Sequence, residues 1–322
     1  MKRMQTAETE TSIDSASLKP WHMKVSFTMG EQSAHPGEKG TIEEWWGGPT
    51  QYRVVYASPT ISVTEIHSAN EYFRTAGAST TPYLLKLVQQ QTVHPLPKGG
   101  LLGDSELVSV NKKVGNVEID CVSIQGAKKI SRKPQPFVSP TYCFEKNTTS
   151  LLGSYDFGVL VVQRERVGGF QGRQVPTRTT VSLGGVKAIS ANIETLEARS
   201  LTMAEVGSLA EVEKAAEIIT PVDKRLANEA DETATKGAQA SQGLPTYPAS
   251  AKAAHETGVV LIRVIIGKDG QVRETDLIYA PYKDLGIAAL EAVRKWRYKP
   301  YLLNDQPTEI DTTVQVNFRI GD

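Results

Sequence analysis

The first two hundred residues alternate between short apolar runs and turn residues, a pattern typical of an antiparallel β-sheet. The runs are rich in β-branched and aromatic residues, and clusters of Gly, Pro, Asn and Ser such as GGP, SPT and SAN separate them. One segment, residues 81–93, places Leu84, Leu87 and Val88 on one face and predicts a short helix. The predicted strands are residues 40–46, 51–56, 61–67, 117–124, 154–167, 175–183 and 186–196.

The longest of these strands has the clearest alternation. Between residues 154 and 167, Tyr155, Phe157, Val159 and Val161 share one face, which predicts a single continuous strand. Many consecutive strands with one helical interruption indicate an antiparallel sheet that is strongly curved or closed. We therefore expect one antiparallel β domain over residues 21–200, preceded by a disordered N-terminus over residues 1–20.

The composition changes near residue 200. No aromatic residue occurs between Gln171 and Thr246. The stretch AEVGSLAEVEKAAEII has helix-forming composition, Thr220-Pro221 breaks it, and NEADETATKGAQASQG is small, polar and repetitive. These features predict a helix followed by a flexible linker over residues 201–243.

A compact pattern returns in residues 244–322, in the order helix, hairpin, helix, strand. In the final strand Val314, Val316, Phe318 and Ile320 alternate with polar residues, which predicts one buried and one exposed face. The predicted elements are a helix at 250–255, strands at 258–266 and 272–279 around a Lys-Asp-Gly turn, a helix at 284–296 and a strand at 312–320.

Charge and length narrow the class of protein. The 322 residues include 36 Lys+Arg and 36 Asp+Glu, so the formal net charge is zero. This balance argues against non-specific nucleic-acid binding, and we expect no nucleic-acid partner. No apolar run approaches the ~18 to 20 residues that span a bilayer, and the first twenty residues lack the apolar core of a signal peptide. The protein is therefore either cytoplasmic or lacks a targeting segment in this chain.

The two cysteines, Cys121 and Cys143, lie in apolar, strand-like segments without CxxC or Cys/His spacing, so we expect no metal site. Two buried free thiols and a disulfide are both compatible with this position, and a pair with no leftover cysteine favours the disulfide. Such a bond would close a loop of about 20 residues and stabilise the fold by about 3 kcal/mol.

Other polar residues give no catalytic pattern. The five histidines share no metal-like spacing, and Glu43 and Glu44 are adjacent, hence on opposite faces of a strand. The glycine-rich stretch 168–172 lacks the Lys-Ser/Thr of a phosphate loop. We therefore expect no enzymatic activity and no cofactor.

The tryptophans suggest core positions. Trp45 and Trp46, together with Trp21, could line a lipid-binding cavity, but adjacent residues of a strand face opposite sides, so only one of the pair can point inward. Trp296 ends the second C-terminal helix and is expected in the core of its domain.

The C-terminal pattern resembles the C-terminal domain of the TonB family of energy transducers. The matching segments are YPASAKAAHETGVVLIRVIIGKDGQV, LGIAALEAVRKWRYKPYLLNDQP and TTVQVNFRI, which fall within residues 244–322. The resemblance implies a three-stranded antiparallel sheet with two helices, whose last strand lies at the edge and accepts an extended peptide of an outer-membrane transporter. Pairing with a second copy of the chain is the alternative. The residues expected to bind the partner strand are Thr312, Thr313, Val314, Gln315, Val316, Asn317, Phe318 and Arg319.

The N-terminal runs KVSFTMG, KGTIEEWW and QYRVVY resemble lipoprotein-sorting domains of the LolA and LolB type. Those domains are curved, nearly closed antiparallel sheets around an apolar cavity, with a helix as lid. Together the two resemblances imply an α+β protein, with an N-terminal half-barrel sheet like that of a lipoprotein carrier and a small TonB-like C-terminal domain. A lipid or lipoprotein is the implied ligand of the half-barrel.

The chain departs from the TonB pattern in two ways. TonB transducers carry an N-terminal membrane helix that couples to an inner-membrane motor, and a Pro-rich span; here the 17 prolines are scattered and no such helix is evident. The expected function is that of a periplasmic TonB-family protein that binds an outer-membrane transporter, with any link to inner-membrane motor proteins requiring an anchor absent from this chain. A periplasmic lipid or lipoprotein carrier that uses the TonB-like domain as a tether, and a peptidoglycan-binding envelope protein, are the alternatives.

Overall fold

The computed structural model divides into two compact units, Met1–Ala215 and Ala216–Asp322. It describes residues 2–31, 33, 35–69, 71–77, 80–97, 106–114, 117–125, 139–207, 212–215, 239–241, 243–303 and 306–320. The predicted flexible linker falls mostly on residues 216–238, outside the described residues. None of the described helices is both long enough and apolar enough to cross a membrane.

The N-terminal unit is built on one sheet of thirteen described strands, paired in the order β13-β5-β4-β3-β2-β1-β12-β11-β10-β9-β8-β7-β6. Every neighbouring pair is antiparallel, as the sequence predicted. The strands are β1 Trp21–Met29, β2 Lys39–Gly48, β3 Gln51–Ala57, β4 Ser62–Ser68, β5 Glu71–Thr75, β6 Glu106–Val114, β7 Val117–Gln125, β8 Thr141–Glu145, β9 Leu151–Asp156, β10 Leu160–Phe170, β11 Arg173–Leu183, β12 Val186–Ala198 and β13 Val212–Ala215.

One face of this sheet carries the core, because strand side chains alternate between two faces. On β1 every second residue from Trp21 to Phe27 is buried, and the residues between them are half-buried. Trp21 stacks on Trp46 of β2, with ring centroids 5.7 Å apart. Trp46 is therefore the inward member of the Trp45-Trp46 pair, and Trp45 stacks on His22 on the opposite face.

Three helices cover parts of the sheet. Helix α2, Tyr83–Val93, packs against β11 and β12 and buries Leu85 and Val88, close to the predicted bounds of 81–93. Helix α1, Lys2–Thr11, packs against β11, and helix α3, Met203–Gly207, packs against β2, β3 and β4. The sheet thus uses short helices rather than a second sheet to shield its apolar side chains from water.

The prediction of a disordered N-terminus is wrong at α1. Met4 and Ala7 are buried in one apolar cluster, and Arg3 donates to the Asp120 carboxylate over 2.9 Å. Arg3 also donates to the backbone oxygen of Glu145 over 2.9 Å. Two apolar positions three residues apart gave too weak an amphipathic signal to predict this helix, whose stability comes from packing and these long-range bonds.

The predicted single strand over residues 154–167 is wrong as well, because the chain turns within it. Phe157 and Gly158 have φ angles of 57° and 75°, and the Phe157 N–H donates to the Asp156 carboxylate over 2.8 Å. An apolar alternation across this turn imitated one strand, whereas β9 and β10 are two strands of a hairpin.

A third correction concerns the helix predicted after residue 201. Only Met203–Gly207 is helical among the described residues there, and Val212–Ala215 forms strand β13 at the sheet edge beside β5. Helix-forming composition was overridden by the hydrogen bonds that the open edge of β5 offers.

The C-terminal unit contains a three-stranded antiparallel sheet of order β16-β15-β20 with a helix packed against β15 and β16. Its buried core includes Val260, Ile262, Val264, Leu285 and Trp296. The sequence predicted β15 and β16 with the bounds that the structure has. The elements are β14 Gln239–Ser241, α4 Ala249–Ala253, β15 Gly258–Ile266, β16 Val272–Tyr279, α5 Lys283–Val293, β17 Arg297–Tyr298, β18 Tyr301–Leu303, β19 Gln306–Thr308 and β20 Ile310–Phe318.

Candidate partner-binding edge of the C-terminal sheet

Strand β20 lies at the edge of the C-terminal sheet. It pairs with β15 without a bulge over nine residues, from Gly258 opposite Phe318 to Ile266 opposite Ile310. Among the described strands, β15 is its one neighbour. A strand with a single neighbour leaves about half of its backbone N–H and C=O groups directed away from the sheet, where another chain can pair with them.

The inner face of β20 fixes its register. Val316 and Phe318 are buried in the core, and Val314 packs against it. The Phe318 ring meets that of Tyr247 edge-on at a centroid distance of 5.4 Å. A slip of one residue would turn all of these side chains to the other face, so the alternation holds the strand in place.

The outer face of β20 is polar and uncharged between its ends. Thr313 and Gln315 are half-buried, and Asn317 is exposed. The Gln315 side-chain amide donates to the Asn317 amide oxygen over 3.1 Å. From residue 312 to residue 318 the strand has no ionisable side chain, so no charge opposes the approach of a neighbouring strand.

The single charge of β20 is neutralised within the sheet. Asp311 accepts two hydrogen bonds from Arg263 of β15, one from Nε over 2.9 Å and one from a terminal nitrogen over 2.5 Å. Arg263 is 4% exposed and lies opposite Asp276 of β16. Burial raises the pKa of Asp276, and the Arg263 charge opposes that rise. The two-pronged pair ties the beginning of β20 to the central strand.

Sequence reasoning missed this pair. A lone arginine within the apolar run VVLIRVII and a lone aspartate at the beginning of IDTTVQVNF were the available signals. They point to each other only when the antiparallel register is known.

The opposite edge of the same sheet is different in character. Strand β16 carries the adjacent residues Arg273 and Glu274, and Asp276 follows two positions later. Arg273 pairs with Asp269 over 2.9 Å. Charged side chains on an edge strand discourage pairing with foreign strands. Of the two edges, β20 is therefore the one suited to accept a partner.

The structure places the predicted site residues as a contiguous set. Thr312 to Phe318 all lie on β20, and Arg319 follows directly as an exposed residue beyond the end of the strand. Their binding of a partner strand stays a prediction.

The predicted disulfide is confirmed. Cys121 of β7 and Cys143 of β8 are directly opposite each other and bonded, and both are buried. The alternative of two free thiols is wrong. The bond joins neighbouring strands in the part of the sheet on which α1 packs, since Phe144 belongs to the same apolar cluster as Met4.

Two buried carboxyl groups under α2 were not anticipated from the sequence. Glu44 is 1% exposed and accepts a hydrogen bond from Gln89 over 2.8 Å, and burial raises its pKa to about 8. Burial also acts to raise the pKa of Glu65, but bonds from Lys86 (2.7 Å) and Thr81 (2.6 Å) hold it below the usual value. These contacts attach α2 and the residues before it to the inner face of the sheet.

Comparison with known proteins bears on the C-terminal unit first. Residues 244–320 match the family model described as Gram-negative bacterial TonB protein C-terminal. The predicted resemblance of this unit to the TonB family is confirmed. The TonB C-terminal domain of Pseudomonas aeruginosa, solved in solution, is a structural match with 23% identity that covers 26% of this chain and 84% of that one, at a TM-score of 0.23.

Solved structures similar to the N-terminal part of the chain include a LolA superfamily protein from Nitrosomonas europaea, with 11% identity over 62% of this chain and 94% of that one, at a TM-score of 0.40. A DUF1329 family protein from Desulfovibrio piger matches with 12% identity over 65% of this chain and 95% of that one, also at a TM-score of 0.40. No curated protein matches the chain.

Proposed function

We propose that the protein acts in the periplasm as a TonB-family binding protein, whose C-terminal unit captures an extended segment of an outer-membrane transporter along β20. The observation that carries the proposal is the uncharged edge from Thr312 to Phe318, which pairs with β15 alone among the described strands, whereas the opposite edge on β16 is charged. The TonB family match over residues 244–320 supports the choice of partner.

Strand addition suits the chemistry of this edge. The partner would supply N–H and C=O groups to the unpaired backbone of β20, each bond contributing roughly 0.5 to 1.5 kcal/mol net. On the inner side its side chains would extend the apolar surface of Val316 and Phe318, and on the outer side they would face Thr313 and Gln315. Because Asp311 is already paired with Arg263, the interaction needs no complementary charge.

Titration of the full chain with a peptide from the periplasmic end of an outer-membrane transporter, followed by amide NMR, tests the proposal. We expect the largest shifts along β20, and Gln315→Pro should abolish binding because proline removes a backbone donor and disturbs the edge. The matched control is Thr275→Pro on β16, which alters the charged edge and should leave peptide affinity unchanged.

Two outcomes would contradict strand addition. Shifts confined to α4 and α5, with β20 silent, would place the peptide elsewhere. Equal loss of binding in the Gln315→Pro and Thr275→Pro variants, with dispersed spectra in both, would show that the two edges do not differ in function.

A lipid or lipoprotein carrier is the second candidate function. It is favoured by the apolar inner face of the N-terminal sheet, which α2 covers through the polar contacts of Glu44 and Glu65 as well as through packing. A ligand acyl chain could replace the apolar contacts of the helix. Mass spectrometry of the purified protein tests this function: co-purified lipid supports it, and lipid-free protein that gains none from mixed vesicles contradicts it.

A further inference from the structure

Strand β6 is an edge strand of the N-terminal sheet, at the end of the strand order opposite to β13. Among the described strands β7 is its one neighbour, and the two pair without a bulge from Glu106 opposite Gln125 to Val114 opposite Val117. On an edge strand the backbone N–H and C=O groups of every second residue point away from the sheet. With nine residues, β6 is as long as β20 and more than twice as long as β13.

The interior of β6 is neutral and is held in place on both faces. From residue 107 to residue 111 the sequence LVSVN has no ionisable side chain. Val108 and Val110 share one face, and Val110 packs against the cluster around the disulfide. Leu107 lies on the other face and packs against the cluster that includes residues of α1. Contacts on both faces fix the register of β6 towards β7, so its outer edge is a defined surface.

The two ends of β6 carry opposite charges. Glu106 begins the strand, and Lys112 and Lys113 lie near its end. Charged residues on an edge strand discourage pairing with foreign strands. A strand with an acidic beginning and a basic end is nevertheless complementary to a second copy of itself, because antiparallel pairing brings each beginning beside the other end. The charges therefore favour a second copy over a strand of unrelated sequence.

The geometry of an antiparallel ladder restricts how two β6 strands can pair. Directly opposed residues either exchange both hydrogen bonds or exchange none, and the two kinds of pair alternate along the strands. Only every second residue of β6 directs its backbone groups outwards, since the others are bonded to β7. A two-fold pair must therefore be centred on a residue and not between two residues. Glu106 can then oppose Lys112 of the second copy, but it can never oppose Lys113.

We propose that the protein forms a two-fold dimer in which the β6 strands of two copies pair antiparallel, centred on Ser109. In this register Glu106 of each copy lies opposite Lys112 of the other, and Val108 lies opposite Val110. Opposed charges and opposed β-branched residues both stabilise neighbouring strands. Centring the pair one residue later, on Val110, would place Lys112 opposite Val108, and both charge pairs would be lost. The same surface serves both copies, as a closed two-fold interface requires.

This dimer joins two large sheets and does not use the C-terminal sheet. Pairing through β6 and capture of a partner strand along β20 therefore engage different backbone groups, and one does not exclude the other. The inference is independent of the function proposed for β20, and each dimer would carry two copies of that edge.

Cysteine substitution at the centre of the interface reports the register directly. Ser109 and Asn111 are both exposed. In the proposed register the two copies of residue 109 are opposite each other, within the span of a disulfide, whereas the two copies of residue 111 are about 13 Å apart along the strands. We expect Ser109→Cys to form a covalent dimer on mild oxidation of the full chain. Asn111→Cys is the matched control and should stay monomeric on a non-reducing denaturing gel.

A charge exchange tests the pairs at the two ends. Glu106→Lys brings two lysines together at each end, and we expect it to weaken self-association about tenfold in sedimentation velocity. Adding Lys112→Glu restores opposite charges at the same positions and should restore the wild-type dimer fraction. Glu165→Lys, the same change at an exposed carboxylate of β10, is the control and should leave the dimer fraction unchanged.

Three results would overturn the proposal. The first is a wild-type chain that stays monomeric up to about 1 mM, which is the weak end of specific association. The second is equal cross-linking of Ser109→Cys and Asn111→Cys, which would show random collision or another register. The third is a dimer that Gln315→Lys on β20 dissociates and Glu106→Lys does not, which would place the contact at the other sheet. If Glu106→Lys alters the circular dichroism spectrum, the cysteine pair decides the question without a change of charge.

Discussion

The edge strands of the two sheets differ in length and in charge. One edge strand of the large sheet is β13, which has four residues and carries Glu213 and Lys214, with Lys214 paired to Glu71 of β5 over 2.5 Å. The other edge strand, β6, has nine residues and carries charged residues near both ends, Glu106, Lys112 and Lys113. The small sheet ends at β20, a strand of nine residues whose only charge, Asp311, is held by Arg263. Short, charged edges resist pairing, and long neutral edges invite it. Of the edges at β13 and β20, the latter is therefore the better suited to pair with a foreign strand.

The two units also bury charge differently. The N-terminal unit hides separate groups, with Glu44 bonded to Gln89 and Arg164 bonded to the backbone oxygen of Gln91. Burial lowers the pKa of Arg164 to about 9. The C-terminal unit buries Arg263 with a carboxylate partner on the neighbouring strand. The described ion pair of the larger core, Glu65 with Lys86, has a lysine whose side chain is 37% exposed, whereas Arg263 and Asp311 are 4% and 15% exposed, so the smaller core depends more strongly on its pair.

The largest expected effect follows from that dependence. Arg263→Ala leaves the Asp311 carboxylate without its partner, and breaking a buried pair in this way costs about 3 to 5 kcal/mol. We expect amide protection in the full chain to collapse in the C-terminal unit and to persist in the N-terminal unit. Arg273→Ala, which breaks an exposed pair on β16, is the control and should cost less than about 1 kcal/mol. Similar losses in both variants would refute the special role of Arg263.

The next effect belongs to the N-terminal unit. Cys121→Ser combined with Cys143→Ser removes a bond between residues 22 apart, which should lower the free energy of unfolding by about 3 kcal/mol. The loss should appear in denaturant unfolding of the N-terminal unit, and reduced wild-type protein should match the double variant. Unchanged unfolding, or a loss confined to the C-terminal unit, would show that the disulfide does not stabilise the sheet.

Sequence alone predicted the C-terminal unit better than the N-terminal one, for physical reasons. The hairpin of β15 and β16 is local, since a Lys-Asp-Gly turn and apolar alternation specify it within about 20 residues. The inward position of Val316 and Phe318 followed from the same alternation. By contrast, α1 depends on Met4 meeting partners far along the chain, and β13 depends on the open edge of β5. Long-range contacts of this kind leave little trace in local composition.

The candidate sites show the same limit. The strand edge was predicted from the resemblance to TonB C-terminal domains, and the neutral, alternating segment at the end of the chain agrees with it. The Arg263–Asp311 pair joins residues 48 positions apart, and the hydrogen bond between His94 and Asp14 joins residues 80 positions apart. Neither pairing has a spacing signal, so both required the fold.

A smaller effect is expected from the pH dependence of the buried carboxylate. The pKa of Glu44 is raised to about 8 by burial, so the folded state holds this proton more tightly than the unfolded state, and stability falls as the pH rises from about 4.5 through 8. Glu44→Gln should remove this loss, which amounts to about 1.4 kcal/mol for each pH unit between those two values. Asp156, whose pKa burial raises to about 7, acts in the same direction, so the slope should shrink without vanishing.

The measurement is denaturant unfolding of the N-terminal unit between about pH 5 and pH 9, because the buried Glu44 carboxyl loses its proton within this range. Glu118→Gln is the matched control, since this carboxylate is exposed on β7, and its pH slope should equal that of the wild type. A Glu44→Gln variant with the wild-type slope would show that Glu44 is not the buried titrating group.

The smallest effect should come from the charged edge itself. Lys214 pairs with Glu71, but both side chains are more than half exposed, so Lys214→Ala should change the free energy of unfolding by only a few tenths of a kcal/mol. If β13 carries charge to resist foreign strands, the same variant should self-associate more than wild type in sedimentation velocity while its unfolding midpoint stays constant. A stability loss above about 1 kcal/mol without self-association would instead make Lys214 a structural residue. In that case the charges of β13 would not protect its edge, and the edge of β20 would be compared with that of β16 alone.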